Sequence, residues 1–163
     1  MKRIFLIGYM GAGKTTVGKD LAKRMGLSFI DLDCYIEARY HRTVGQIFAE
    51  KGEAAFRDIE RRMLHEVAMF EDVLISTGGG APCFFDNMEF MNRTGKTVFL
   101  NVHPDVLFRR LKGRSGDELV AFIAESLEKR TPHYMKASIV FDAEVMLTET
   151  DVHEISEALE KIV

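Results

Sequence analysis

The sequence predicts an α/β fold in which helices cover both faces of a mostly parallel sheet. Short apolar runs alternate along the chain with longer amphipathic stretches. Strands that are separated by helices need crossover connections, and such connections produce parallel strands. The chain has 163 residues and shows no internal repeat, low-complexity tract or linker. We therefore predict a single domain over residues 1–163.

The apolar runs are the strand candidates, and the amphipathic stretches are the helix candidates. The strand candidates are Ile4–Ile7, Ser28–Asp31, Val73–Ser76, Thr97–Val102 and Ser138–Phe141. The helix candidates are Lys14–Met25, Asp33–Tyr40, Val44–Lys51, Ala54–Phe70, Asp86–Arg93, Pro104–Lys112, Asp117–Arg130 and Asp151–Ile162. In the first helix, Val17, Leu21 and Met25 share one apolar face. Ligands of such sheets bind beyond the carboxyl ends of the strands.

Composition and charge narrow the class of protein. The chain is 47% hydrophobic and 29% charged, which is ordinary for a globular protein. Its net charge of −3 gives no reason to expect nucleic acid or an anionic membrane as a partner. Cys34 and Cys83 form neither a disulfide framework nor a metal-binding spacing. No segment approaches the length of a membrane span, so we expect a cytoplasmic protein.

Residues 8–15 read GYMGAGKT, a complete G-x-x-x-x-G-K-[ST] phosphate-loop motif. A predicted strand precedes the motif and a predicted helix follows it, which argues against a glycine-rich turn that matches by chance. Lys14 can reach the β- and γ-phosphates, and the Thr15 hydroxyl can ligate Mg²⁺. The sequence therefore predicts that a nucleoside triphosphate binds here. The predicted triphosphate-binding residues are Gly11, Ala12, Gly13, Lys14, Thr15 and Thr16.

Two carboxylates follow at the end of the second predicted strand. Strand alternation would point Asp31 and Asp33 the same way and turn Leu32 towards the core. One carboxylate can hold Mg²⁺ through water, and the other can orient or deprotonate an acceptor hydroxyl. The alternative is that Asp33 only caps the helix that begins at Cys34. The phosphate loop one helix earlier favours the catalytic interpretation.

The ordered set of motifs resembles the shikimate kinase family. After GYMGAGKTTVG at residues 8–18 and DLD at 31–33, the match continues with GE at 52–53, FRDIE at 56–60 and TGGG at 77–80. The resemblance runs from about residue 3 to about residue 142. It implies a three-layer P-loop kinase fold with a five-stranded parallel sheet. It also implies phosphorylation of the 3-hydroxyl of shikimate, with ATP as donor and Mg²⁺ as cofactor.

The resemblance further assigns roles to individual residues. Lys14 and Asp33 are expected to be catalytic, and Thr15 and Asp31 are expected to hold Mg²⁺. The acceptor would lie against helices at about 33–62 and would be bound by Asp33, Arg57, Glu60, Gly78, Gly79, Gly80 and Arg130. Without the resemblance, the charged run around Arg57 reads as a solvated helix face, the glycines as a flexible turn, and Arg130 as a cation at a helix end.

The resemblance breaks at the lid, which we place at about residues 111–118. The family carries an Arg-Pro-Leu-Leu element there, whereas this chain reads LKGRSGDE. Arg110 resembles the family arginine that lies over the adenine, and Arg114 is the nearest candidate for the lid arginine. Three explanations stay open: a naturally short lid, an engineered deletion, or residues missing from the sequence. We expect a short lid to lower turnover more than acceptor binding.

Two rival functions stay open at this stage. The nearest is another small-molecule kinase on the same scaffold, for example one for gluconate or a nucleoside monophosphate. The other is a nucleotide-binding module in which the short lid has impaired catalysis. For the preferred interpretation we expect a monomer that acts on a small molecule and binds neither nucleic acid nor membrane.

Overall fold

The computed structural model describes residues 2–111, 117–143 and 149–163. The strands are β1 (Arg3–Ile7), β2 (Ser28–Asp31), β3 (Val73–Ser76), β4 (Lys96–Val102) and β5 (Ile139–Ala143). The helices are α1 (Lys14–Met25), α2 (Leu32–Tyr40), α3 (Val44–Lys51), α4 (Glu53–Val67), α5 (Asn87–Thr94), α6 (Pro104–Leu111), α7 (Asp117–Tyr134) and α8 (Glu149–Ile162). A short 3₁₀ turn spans Ala81–Cys83.

The strands form one parallel sheet in the order β2-β3-β1-β4-β5. Leu6 near the end of β1 and Asp31 at the end of β2 both pair with Ser76 at the end of β3. Three chain segments that follow these strands therefore start from one edge of the sheet. They are the phosphate loop, the aspartate pair and the glycine run, so the register alone brings the three motifs together.

The three central strands, β3, β1 and β4, are largely buried on both faces, as a parallel sheet covered by helices requires. The β1 residues Ile4–Ile7 are all 2% exposed or less. The predicted apolar face of α1 is confirmed, because Val17 and Leu21 are fully buried and Met25 packs against the core. At Gly18 a Cβ would lie 3.1 Å from the Phe29 ring, so a glycine lets this helix pack close to the sheet.

The predicted α/β class and the parallel five-stranded sheet are confirmed, but several helix boundaries differ. α2 begins at Leu32 rather than Asp33, because the Asp31 side chain accepts a hydrogen bond from the Cys34 N–H at 3.1 Å. α4 ends at Val67 rather than Phe70, beyond which the chain forms turns. α7 continues through Pro132 to Tyr134 instead of ending at Arg130. The single domain over residues 1–163 stays a prediction.

Candidate active site

A cavity of about 310 Å³ lies where β1, β2 and β3 end. The phosphate loop, both aspartates and two residues of the glycine run share its wall. The lining residues are Met10, Gly11, Gly13, Lys14, Thr15, Thr16, Asp31, Asp33, Ser76, Thr77, Gly78 and Gly79. Donor and acceptor motifs that are far apart in sequence therefore face one space.

The phosphate loop presents its backbone to this cavity. Gly11 and Gly13 have φ values of 80° and 94°, which glycine adopts without the cost that a Cβ would add. α1 starts directly after Gly13 and has neither a capping side chain nor an acidic residue in its first turn. Its first N–H groups are therefore left for a ligand, and the helix dipole favours an anionic one.

Lys14 lies folded over the loop that precedes it. Its Nζ donates hydrogen bonds to the Gly8 carbonyl at 2.7 Å and to the Tyr9 carbonyl at 2.9 Å. Burial lowers the pKa of Lys14 to about 8, although the nearby Asp33 and Asp31 charges oppose the shift. A polyphosphate bound in the cavity would raise this pKa again, because negative charge favours the ammonium form.

The two aspartates have different partners. Asp31 accepts hydrogen bonds from the Cys34 N–H at 3.1 Å and from the Thr15 hydroxyl at 3.3 Å. The capping residue of α2 is thus Asp31, and the alternative that assigned this role to Asp33 is wrong. Strand alternation does not extend to Asp33 either, since this residue lies in the first turn of α2. Leu32 is nevertheless buried, and both carboxylates line the cavity as predicted.

Asp33 lies close to the glycine run on the wall of the cavity. Its Oδ1 lies 3.0 Å from the position that a Cβ on Gly78 would take. Burial raises the pKa of Asp33, with a further rise from the Asp31 charge and an opposing effect of Lys14. A carboxylate with a raised pKa is a better proton acceptor than an ordinary one. Asp33 can therefore act as a base or an orienting group for a hydroxyl placed here.

Thr15 and Asp31 suit a magnesium ion. Their side chains provide a hydroxyl and a carboxylate oxygen 3.3 Å apart beside the phosphate loop. Mg²⁺ prefers hard oxygen ligands and usually takes only one or two from protein, with phosphates and water supplying the rest. The residues present therefore fit this ion.

The glycine run contacts the predicted acceptor residues one after another. A Cβ on Gly79 would lie 3.1 Å from Nη1 of Arg130, and one on Gly80 would lie 2.5 Å from Nη2 of Arg57. Gly80 has φ −88°, a conformation that any residue can adopt. Glycine is required here for close approach of charged side chains, and a merely flexible turn does not require it.

Arg57 and Glu60 form a buried ion pair on the inner face of α4. Arg57 is 8% exposed and Glu60 is 1% exposed, and Nη1 of Arg57 donates to Oε1 of Glu60 at 2.9 Å. Burial raises the pKa of Glu60 to about 7, although Arg57 opposes the shift. The interpretation as a solvated helix face is therefore wrong for this pair. The interpretation as a solvated helix face does apply to the neighbouring Asp58–Arg62 pair, whose side chains are exposed.

Aromatic rings around these arginines were not predicted from the sequence. The guanidinium of Arg57 lies 4.3 Å from the Phe84 ring centroid and 5.3 Å from that of Phe56. The guanidinium of Arg130 lies 5.5 Å from the centroid of the Tyr9 ring. Such faces attract cations and hold the planar group in place. Spacing offers no signal for Phe84, because it follows the glycine run in a segment without periodicity.

Most of the predicted lid lies outside the described residues. Arg110 lies in α6, but its side chain is outside the described residues. Arg114 and the centre of the predicted lid at residues 112–116 are also outside the described residues. The predicted nucleotide roles of both arginines stay predictions.

Comparisons with known proteins agree with this geometry. A family model described as "Shikimate kinase" matches residues 10–160. A shikimate kinase from Parabacteroides distasonis is 73% identical, with 99% of each chain covered. That alignment extends over 172 positions, more than the 163 residues of this chain, so the relative carries residues that this chain lacks.

Solved structures of shikimate kinases also resemble this chain over nearly its whole length. The crystal structure of shikimate kinase from Bacteroides thetaiotaomicron has a TM-score of 0.94 at 58% identity and covers 99% of this chain and 97% of its own. A shikimate kinase from Acinetobacter baumannii, solved in complex with shikimate, has a TM-score of 0.90 at 29% identity and covers 99% of this chain and 92% of its own.

The fold and the site together define a class. A parallel sheet with a phosphate loop after β1 and a charged pocket beside it is the arrangement of a P-loop kinase for small molecules. The matches above narrow the class further. This chain belongs to the shikimate kinase family.

Proposed function

We propose that this protein transfers the γ-phosphoryl group of ATP to the 3-hydroxyl of shikimate and forms shikimate 3-phosphate. The observation that carries the proposal is the glycine run, which lies against Asp33, Arg130 and Arg57 in turn, beside the phosphate loop. A carboxylated, polyhydroxylated ring needs planar cations at one end and a base at the other. The order of these contacts supports both requirements.

The carboxylate of the acceptor would bind between Arg57 and Arg130. Nη1 of Arg57 donates to Glu60, and Nη2 lies close to Gly80, so the orientation of the planar guanidinium is fixed. A planar fork can bind a carboxylate through two parallel hydrogen bonds. The ring hydroxyls would then lie over Gly78–Gly80, where no side chain intervenes.

Phosphoryl transfer would occur between Asp33 and Lys14. Asp33 would accept the proton of the attacking hydroxyl or orient that hydroxyl towards the γ-phosphate. Lys14 would leave the carbonyls of Gly8 and Tyr9 and stabilise charge on the transferred group, together with backbone N–H groups of Gly11 and Gly13. Ala12 and Thr16 complete the predicted loop contacts to the nucleotide.

Mg²⁺ would be held by the Thr15 hydroxyl and by Asp31, directly or through water. When bound, the ion neutralises phosphate charge and polarises the group being transferred. Asp31 also caps α2 through its other oxygen, so the position of this carboxylate is set by the fold. This arrangement supports a division of labour in which Asp31 serves the metal and Asp33 serves the acceptor.

The remaining expectations belong to the same proposal. We propose a cytoplasmic monomer whose partners are small molecules, without a nucleic-acid or membrane partner. The net charge of −3 supports the proposal that nucleic acid is not a partner. Among the described residues, every helix is too short or too polar to cross a bilayer. Light scattering on the purified protein measures its molar mass and so tests whether it is a monomer.

A coupled ADP-release assay tests the reaction itself. We expect ADP release to depend on both ATP and shikimate, with gluconate and nucleoside monophosphates as control acceptors. Faster release with a control acceptor than with shikimate would favour the rival kinase. ATP turnover that does not respond to shikimate would favour the nucleotide-binding module.

A further inference from the structure

Tyr134 is a buried residue beside the site to which the proposed function gives no role. It is the last residue of α7 and is fully buried, with its ring packed on Phe99 at a centroid distance of 5.0 Å. A buried phenol hydroxyl is costly unless it is hydrogen-bonded. This hydroxyl donates to the Gly79 carbonyl at 2.5 Å.

Arg130 lies one helical turn before Tyr134 on the same face of α7 and approaches the same glycine. The Tyr134 hydroxyl therefore fixes the peptide against which the Arg130 guanidinium lies.

Gly79 lies between the two halves of the site. A Cβ at this position would be 3.1 Å from Nη1 of Arg130, 3.4 Å from the Met10 nitrogen and 3.6 Å from the Gly8 carbonyl oxygen. The peptide that Tyr134 holds is thus in contact with an acceptor arginine on one side and the phosphate loop on the other. A small shift of the Gly79 peptide would move the surface against which the acceptor is proposed to bind.

We infer that Tyr134 is a positioning residue for the acceptor: its hydroxyl holds the Gly79 peptide against the Arg130 guanidinium and so sets where the acceptor carboxylate binds. Tyr134 itself touches no reacting atom. The inference deepens the proposed function and rests on it. The competing explanation is that Tyr134 only fills the core through its ring on Phe99.

Tyr134→Phe separates these explanations, because it removes the hydroxyl and keeps the ring. If the hydroxyl positions Gly79 against Arg130, the KM for shikimate rises about 5- to 10-fold, the effect of losing one hydrogen bond between neutral groups. We expect kcat and the KM for ATP to change by less than about twofold, because binding of the acceptor is what is lost. A KM for shikimate within about twofold of wild type overturns the inference.

Tyr35→Phe is the matched control. The Tyr35 hydroxyl donates to Oε1 of Glu66 at 2.8 Å, in a partly buried contact between α2 and α4. Its loss removes a comparable hydrogen bond that does not involve Gly79 or Arg130. We expect a lower melting temperature with an unchanged KM for shikimate. An equal rise in KM for both variants would mean that the effect is a general loss of stability, and would overturn the inference.

A double-mutant cycle tests whether the effect passes through Arg130. In an Arg130→Ala background the guanidinium is absent, so adding Tyr134→Phe should leave the KM for shikimate unchanged. A further rise by the factor seen in wild type would overturn this route. A wild-type protein that does not phosphorylate shikimate contradicts the proposed function, whereas an active wild type with an inert Tyr134→Phe contradicts only this inference.

Discussion

The donor half and the acceptor half of the site are built in different ways. The donor half is one contiguous loop, residues 8–15, whose backbone and helix terminus form the binding surface. The proposed acceptor half takes its residues from α2, α4, α7 and the run after β3. Its working groups are side chains, and Arg57 and Glu60 among them are buried charges that need each other.

The two halves should therefore be sensitive to different kinds of substitution. A loop that binds through its backbone depends on local conformation, so most side-chain changes around it leave the binding surface in place. An acceptor pocket made of buried charges depends on packing between distant elements, so changes that alter those charges or contacts should affect it most. Four predictions, in decreasing order of effect, test this contrast.

Asp33→Asn tests the point where the two halves meet. The amide keeps the shape of the side chain but removes its ability to accept a proton, so we expect kcat to fall by about 10²- to 10⁴-fold. Binding of ATP should stay nearly intact, because Asp33 serves the acceptor. Steady-state kinetics together with nucleotide titration measure both quantities. An unchanged kcat would refute the catalytic role.

Glu60→Gln tests the buried charge of the acceptor half through pH. Because burial raises the pKa of Glu60 to about 7 from 4.5, its stabilising contribution is present below about pH 4.5 and is lost as pH rises through about 7. The free energy of unfolding of wild type should therefore fall relative to the variant between pH 5 and 8, by up to about 3 kcal/mol. Urea unfolding at several pH values measures this difference. A difference that is constant across this range would show that Arg57 keeps Glu60 charged throughout.

Gly80→Ala tests the close approach of backbone to Arg57. A Cβ would lie 2.5 Å from Nη2 of that arginine and must displace it, so we expect the KM for shikimate to rise about 10- to 100-fold. The KM for ATP should not change. Gly45→Ala in α3 is the control, because its Cβ would meet only the Thr43 hydroxyl at 3.9 Å. A normal KM for shikimate in Gly80→Ala would contradict the assigned position of Arg57.

Phe84→Leu tests the aromatic support of Arg57 and should have the smallest effect. The ring lies 4.3 Å from the guanidinium, and loss of such a contact costs about 0.5 to 2 kcal/mol. We expect a rise of a few fold in the KM for shikimate. The control is Phe85→Leu, since the adjacent ring faces Arg61 at 5.2 Å instead. Steady-state kinetics of both variants measure the KM for shikimate. Equal changes in the two variants would argue against a specific role of Phe84.

The same contrast explains how much of the site could be predicted. The loop, its strand and its helix are consecutive, so pattern and spacing were sufficient for that half. Residues 56–62 contain Arg57, Arg61 and Arg62, and nothing in their local sequence distinguishes one from another. Only the resemblance singled out Arg57, and the structure shows why: this arginine faces the glycine run, whereas Arg61 and Arg62 are 40% and 59% exposed.

Two local predictions were wrong. The alternation that was expected to relate Asp31 to Asp33 stops at Leu32, where a helix begins one residue earlier than predicted. The prediction that α7 ends at Arg130 left Tyr134 outside the helix, whereas the helix continues to Tyr134. A hydrogen bond to a carbonyl 55 residues away leaves no trace in local sequence.

The fold class, the nucleotide loop and the two aspartates could be predicted from the sequence, because these features depend on residues that are neighbours in the chain. Which arginine is buried, and that Tyr134 and Arg130 meet at Gly79, depends on tertiary contacts. Those outcomes depend on which groups burial brings together. The free energy of a buried charge or hydroxyl is set by partners that local sequence does not specify.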